Sequence, residues 1–146
     1  GRKFTMNDGA PFKKWVEEID AFVASRKTDA LKAEFDMMAE AMTAFKEIVA
    51  LNAAWTKGDK QMKQLYATRT LHAAARVYCG MLLLDQALLA AAKLKEQGGA
   101  DADFYTGKMA TARFYVMNHV PDIFGYLKSM KYGDRSAIDI PEASFM

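Results

Sequence analysis

The chain has 146 residues, 51% of them apolar and 26% charged, with 20 basic and 18 acidic side chains for a net charge of +2. That length fits one domain, and the composition argues against disorder. The near-neutral charge gives no electrostatic ground for nucleic acid or an anionic membrane as partner. A single cysteine, Cys79, leaves no internal disulfide to form and points to a reducing, cytoplasmic compartment.

The chain opens Gly1-Arg2-Lys3, with no apolar h-region behind it, so no signal peptide is expected. The missing initiator methionine suggests a piece of a longer chain. The most apolar window, Ala73–Leu94, is interrupted by Arg76 and Asp85. Its uncharged run, Val77–Leu84, falls well short of the ~20 residues of a spanning helix, and no membrane span is expected.

Four helical segments follow from periodicity. The first comes after the turn signal Asn7-Asp8-Gly9, carries Pro11 in its first turn, and has the stripe Phe12, Trp15/Val16, Ile19, Phe22/Val23. It should end near Arg26-Lys27. The second, capped by Thr28 or Asp29, spaces Leu31, Phe35, Met38, Met42, Phe45 and Val49 by alternating steps of four and three. Trp55 extends it; Gly58 should close it and Asp59 cap the next segment. The third, Asp59 to Gln97, carries two adjacent stripes. One is Ala74, Val77, Met81, Leu84, Leu88, Ala91; the other is Leu71, Ala75, Tyr78, Leu82, Asp85, Leu89, Ala92. Two stripes cover a wide arc, so this helix should be central or shared with another chain. Gly98-Gly99 ends it. The fourth starts near Asp101 or Asp103 and places Tyr105, Met109, Ala112, Val116, Val120, Ile123, Leu127 and Met130 on one face. Pro121 should break it, and Gly133-Asp134 should close it. The fold class expected is all-α, an antiparallel four-helix bundle with an extended C-terminal arm, Ser136–Met146.

Chemical motifs are sparse. A di-iron bundle needs Glu-x-x-His, but Arg69 and Val116 stand three residues before His72 and His119. There is no His-Glu-x-x-His, Cys-x-x-Cys, phosphate-binding loop or Gly-x-Ser-x-Gly. Cys79 has no base nearby in sequence and reads as a buried inert thiol. His72 reads as a satisfied, partly buried imidazole, and His119 as a partner for a carbonyl freed by Pro121. Asp85 falls in an apolar stripe and, if buried, must be paired or protonated; Arg113 is the natural partner, Arg76 the second. Arg69 and Arg76 read as a solvated face, with an acidic partner such as a phosphate the other possibility. Met38, Met42, Trp15 and Trp55 read as core. No catalytic, cofactor-binding or metal residue is assigned.

Several segments resemble a known family. Gly1-Arg2-Lys3, Met6, Gly9 and Val16-Glu17-Glu18-Ile19 look like the stretch after the catalytic region of certain acyl-CoA dehydrogenases. Tyr105, Gly107-Lys108, Ala112-Arg113-Phe114-Tyr115 and Val120-Pro121 resemble their extra C-terminal helical domain. So do Leu71, Gly80-Met81-Leu82-Leu83 and the tail Pro141-Glu142-Ala143-Ser144-Phe145. The subgroup includes 3-methylmercaptopropionyl-CoA dehydrogenase-like enzymes. The resemblance implies an FAD-dependent parent that removes two hydrogens from the Cα–Cβ bond of an acyl-CoA thioester. In the family, the glutamate base sits in a Tyr-Glu-Gly-Thr-like segment upstream of the Gly-Arg-Lys, as do the flavin signatures. Neither occurs here, so the chain alone should be inert and without FAD.

The expected organisation is a single helical domain over residues 1–146, with a connecting segment and first helix in 1–27, long helices in 28–133 and a tail in 134–146. The expected partners are the upstream catalytic domain, a second copy in a homo-oligomeric dimer, and the parent's acyl-CoA substrate. The alternatives are a free-standing bundle binding an acyl chain or acyl-CoA, and an amphipathic coat for membranes or granules.

Overall fold

A computed structural model describes residues 6–25, 29–96, 99 and 101–146. Helices α1 (Ala10–Ser25), α2 (Lys32–Lys57), α3 (Lys60–Leu65), α4 (Ala67–Glu96), α5 (Ala102–Asn118), α6 (Asp122–Tyr132) and α7 (Ser136–Asp139) follow in chain order. No strand occurs among the described residues. Lone 3-10 turns stand before α1 (Met6–Gly9), before α2 (Asp29–Leu31) and at the C-terminus (Glu142–Phe145).

Sequence chemistry accounts for most of the breaks. Asp59 accepts from the backbone N–H groups of Gln61 (3.1 Å) and Met62 (3.2 Å), capping α3. Gly58 closes α2 by donating to the Ala54 carbonyl at 3.0 Å. The fourth segment breaks at Pro121 as its missing N–H demands, α5 ending at Asn118 and α6 starting at Asp122. Gly133 ends α6 at φ 60°, a left-handed position that suits glycine.

Three expectations need correction. The third segment is two helices, broken at Tyr66. That side chain is buried: its ring stacks on Trp55 at 5.3 Å, and its hydroxyl donates to the Ser129 carbonyl at 3.2 Å. Tertiary anchoring of one tyrosine thus overrides helical continuity. Secondly, Asp29 opens a 3-10 turn, Asp29–Leu31, that runs directly into α2, so Leu31 rather than Asp29 stands at the cap of α2, with no side-chain cap bond. Thirdly, the tail is not wholly extended: it forms α7 and a terminal turn, and Ile138 packs on the core. Arg26-Lys27, Thr28, Gln97 and Gly98 lie outside the described residues.

The core is built on α2. Phe35, Met38, Met42 and Phe45 are buried, as the four-three spacing requires, and the next buried position is Ile48 in place of the expected Val49, which is half-buried. Ile19 and Val23 of α1 cover it on one side, with Trp15 partly buried against Phe45 at 6.0 Å. Ala112, Val116, Val120, Ile123, Leu127 and Met130 from α5, α6 and their junction close another side. Each large side chain here gains ~1.5–3 kcal/mol by leaving water, and together they form a self-contained core of the kind that lets a domain fold alone. Helix α4 packs along α5 and also meets α1, α2 and α6. At Gly80 it comes close to α2. A Cβ there would stand 2.7 Å from Met38 Sδ and 3.3 Å from Val120 Cγ2.

Candidate functional site

The buried side of α4 is Thr70, Ala73, Val77, Gly80, Leu84, Ala87 and Ala90. This is shifted by one position from the first predicted stripe, so that Ala74, Met81, Leu88 and Ala91 are only half-buried. The second stripe lies outside. Leu71 (62%), Tyr78 (41%), Leu82 (40%) and Leu89 (63%) are exposed, with Ala75, Asp85 and Ala92 between them. Their four-three spacing is that of a helix seam. Thirty residues make α4 about 45 Å long, so the stripe runs along much of the molecule. Helix α5, packed beside it, adds exposed Phe104, Phe114 and Met117. A monomer seldom shows so many large apolar groups along one element without a partner for them.

By length and mean hydropathy (1.4 in its most apolar window), α4 is also the one described helix able to cross a membrane. Packing within the chain occupies only its core-facing side.

The candidate residues fall as follows. Asp85 is exposed, which corrects the expectation of a buried carboxylate. Arg113 pairs instead with Glu34, and its Nη2 donates to the Ala30 carbonyl at 3.4 Å. Arg76 pairs with Asp122 and lies over the Tyr126 ring at 5.5 Å. Its Nε is buried without a hydrogen-bond partner. Arg69 lies over Tyr66 at 5.1 Å. His72 is exposed, 6.4 Å from the Tyr126 ring, not partly buried. His119 lies against Phe114 (5.6 Å) and Tyr115 (5.3 Å); ring packing replaces the expected bond to a freed carbonyl. Cys79 is half-buried beside Tyr115. Burial, and then that thiol, push the Tyr115 phenol above its usual range.

Periodicity overlooks three buried polar residues, Glu34, Asn52 and Thr70. Asn52 Nδ2 donates to Thr70 Oγ1 (2.8 Å) and to the Ile48 carbonyl (2.9 Å), and Thr70 Oγ1 donates to the Tyr66 carbonyl (3.0 Å). The signal was positional: Glu34 and Asn52 stand at three- and four-residue steps from Leu31 and Ile48. Among the described residues no three His, Cys, Asp or Glu side chains gather into a metal-binding group.

An all-helical unit with no clustered catalytic groups and one uncovered apolar face is what an appended domain looks like. The family model for the acetyl-CoA dehydrogenase C-terminal-like domain matches residues 15–141, and the chain belongs to that family. It is 59% and 56% identical to two butyryl-CoA dehydrogenases of Syntrophomonas wolfei, over 100% and 99% of its length and 24% of theirs. It is 27% identical to the broad-specificity linear acyl-CoA dehydrogenase FadE5 of Mycobacterium tuberculosis, over 99% of its length and 25% of that protein. The chain therefore spans about a quarter of the length of these curated relatives. Its likeness to them is thus that of one domain, the C-terminal-like domain of the family.

Proposed function

We propose that this domain does mechanical work for its parent: the outer stripe of α4 docks on the upstream catalytic region and holds the subunit together. The uncovered line Leu71, Tyr78, Leu82, Leu89 carries this reading, and three-quarters of the relatives' length outside the matched part is available to cover it. A protein surface suits it better than lipid, since Asp85 sits in the middle of the line. The helices pair as an antiparallel four-helix bundle, α3 and α4 acting as one arm and α5 and α6 as another. Contacts between Asn52 and Thr70, and between Gln86 and Lys108, support that arrangement. The parent is a cytoplasmic homodimer.

The parent's reaction is α,β-dehydrogenation of an acyl-CoA thioester. The names of the relatives favour a short straight acyl chain, and the motif resemblance supports the 3-methylmercaptopropionyl-CoA dehydrogenase-like subgroup. The family implies that the parent would carry FAD, which would supply the hydride-accepting chemistry. The described residues do not furnish its seat: the buried polar groups Glu34, Asn52 and Thr70 are already bonded within the fold. Electron transfer belongs to the upstream region.

The test places Leu82→Glu and Leu89→Glu together in the full-length parent. Both side chains are exposed here, so the 146-residue chain should keep its helicity by circular dichroism. In the parent, the single thermal transition should split and dehydrogenase activity should fall. One unchanged transition with unchanged activity overturns the docking reading.

A further inference from the structure

A second feature lies away from the α4 stripe. The start of α1, the C-terminal half of α2, α3 and the first turn of α4 enclose a cleft of about 780 Å³. That is within the range of small-molecule sites, ~300–1,000 Å³. Phe12, Val49, Ala53 and Ala67 are among its walls. Four lysines also line it: Lys13, Lys57, Lys60 and Lys63. Among the described residues no carboxylate pairs with these four, as is also true of Lys14, Lys95, Lys108 and Lys128, while Lys32, Lys46, Lys93 and Lys131 are paired. Among the described residues the one carboxylate on the lining is that of Asp8. Asp59, next in sequence to Lys60, is taken up by capping α3 and by Arg135. Lysine stems are apolar and their heads seek water, so all four can widen an apolar wall and still present ammonium groups at its edge.

We propose that this cleft binds a single-chain amphiphile with an anionic head. The chain lies against Phe12, Val49, Ala53 and Ala67, and a carboxylate or phosphate head is met by the lysines. A fixed anion near several unpaired ammonium groups gains attraction that a neutral or cationic head does not. The inference needs no assumption about the parent enzyme, because every residue it uses is in this chain.

Calorimetric titration of the 146-residue chain tests it, using dodecanoate, dodecyl phosphate and dodecyltrimethylammonium below their micellar concentrations. The expected result is saturable one-to-one binding of an anion, at least tenfold tighter than the cation; the two anions then show whether carboxylate or phosphate is preferred. The triple variant Lys57→Gln, Lys60→Gln, Lys63→Gln should weaken anion binding about tenfold or more. Ala53→Trp, which fills the cleft, should weaken it while leaving the far-UV spectrum unchanged. No binding, equal binding of anion and cation, or full affinity in the triple variant overturns the proposal. The triple variant also separates this cleft from the apolar face of α4, which it leaves intact.

Discussion

Glu34 in the first turn of α2 is paired with Arg113, midway along α5, and the two are buried very unequally: the glutamate side chain is 4% exposed and the arginine 58%. The pair ties the start of one core helix to the middle of another across 79 residues of sequence. Its energetic weight falls on the carboxylate, which has little water to fall back on.

Removing the arginine should therefore cost more than its exposure suggests. Arg113→Ala leaves Glu34 buried without its cation and should destabilise the domain by about 1–3 kcal/mol, less than a fully buried pair would show. Replacing both, as Glu34→Met with Arg113→Met, should recover most of the loss. Asp85→Ala, by contrast, should change stability by less than about 0.5 kcal/mol, because that carboxylate is exposed. Urea unfolding of the four proteins checks the order; an Asp85→Ala loss above that of Arg113→Ala would contradict it.

Asn52 and Thr70 form the buried polar link between α2 and α4. Asn52→Ala should cost about 1–3 kcal/mol, since the buried Thr70 hydroxyl loses its donor. The double change Asn52→Leu, Thr70→Val should be milder than the sum of the single changes. A double-mutant cycle measures the difference.

Gly80 leaves no free room between α4 and Met38 of α2. Alanine there gains about 1 kcal/mol of helix propensity, and the atom it meets first is the flexible Met38 sulfur. Gly80→Ala should thus lie within about 1 kcal/mol of the parent sequence. Gly80→Leu has no such escape and should lose about 1–3 kcal/mol by overpacking. Thermal denaturation of both variants separates the two cases.

Tyr115 gives a pH signature. Its phenol is held protonated by burial and by Cys79, with Arg76 opposing. A raised folded pKa means that this stabilisation is fully present below about pH 10, the unfolded value, and is lost as pH climbs through the folded value. Unfolding measured from pH 8 to 11 should show a steeper alkaline decline in the parent sequence than in Tyr115→Phe. Identical slopes would show that the phenol titrates normally.

Much of the architecture was legible in the chain. Periodicity placed the core faces of α1, α2, α5 and α6 because a helix that buries one side must repeat its apolar residues every three or four positions. Pro121, Gly133 and Asp59 marked breaks and caps because their constraints are local: a missing N–H, a left-handed dihedral and a short side-chain acceptor. Family membership was likewise written in the segments around Tyr105–Tyr115 and the tail.

What local pattern left undecided depends on neighbours distant in sequence. The two apolar stripes on α4 read as a helix that is central or shared with another chain, without saying which stripe its own bundle buries. The close approach of Met38 and Val120 to Gly80 sends the shifted Val77, Leu84 and Ala87 face inward and leaves Leu71 and Leu89 outside. Tyr66 breaks a helix that propensity would continue, because Trp55 and the Ser129 carbonyl hold it. Arg113 was expected to meet Asp85, and only the packing of α5 beside the start of α2 gives it Glu34. Spacing along a helix determines which residues share a face; which face is buried, and which charge meets which, is decided when the helices pack.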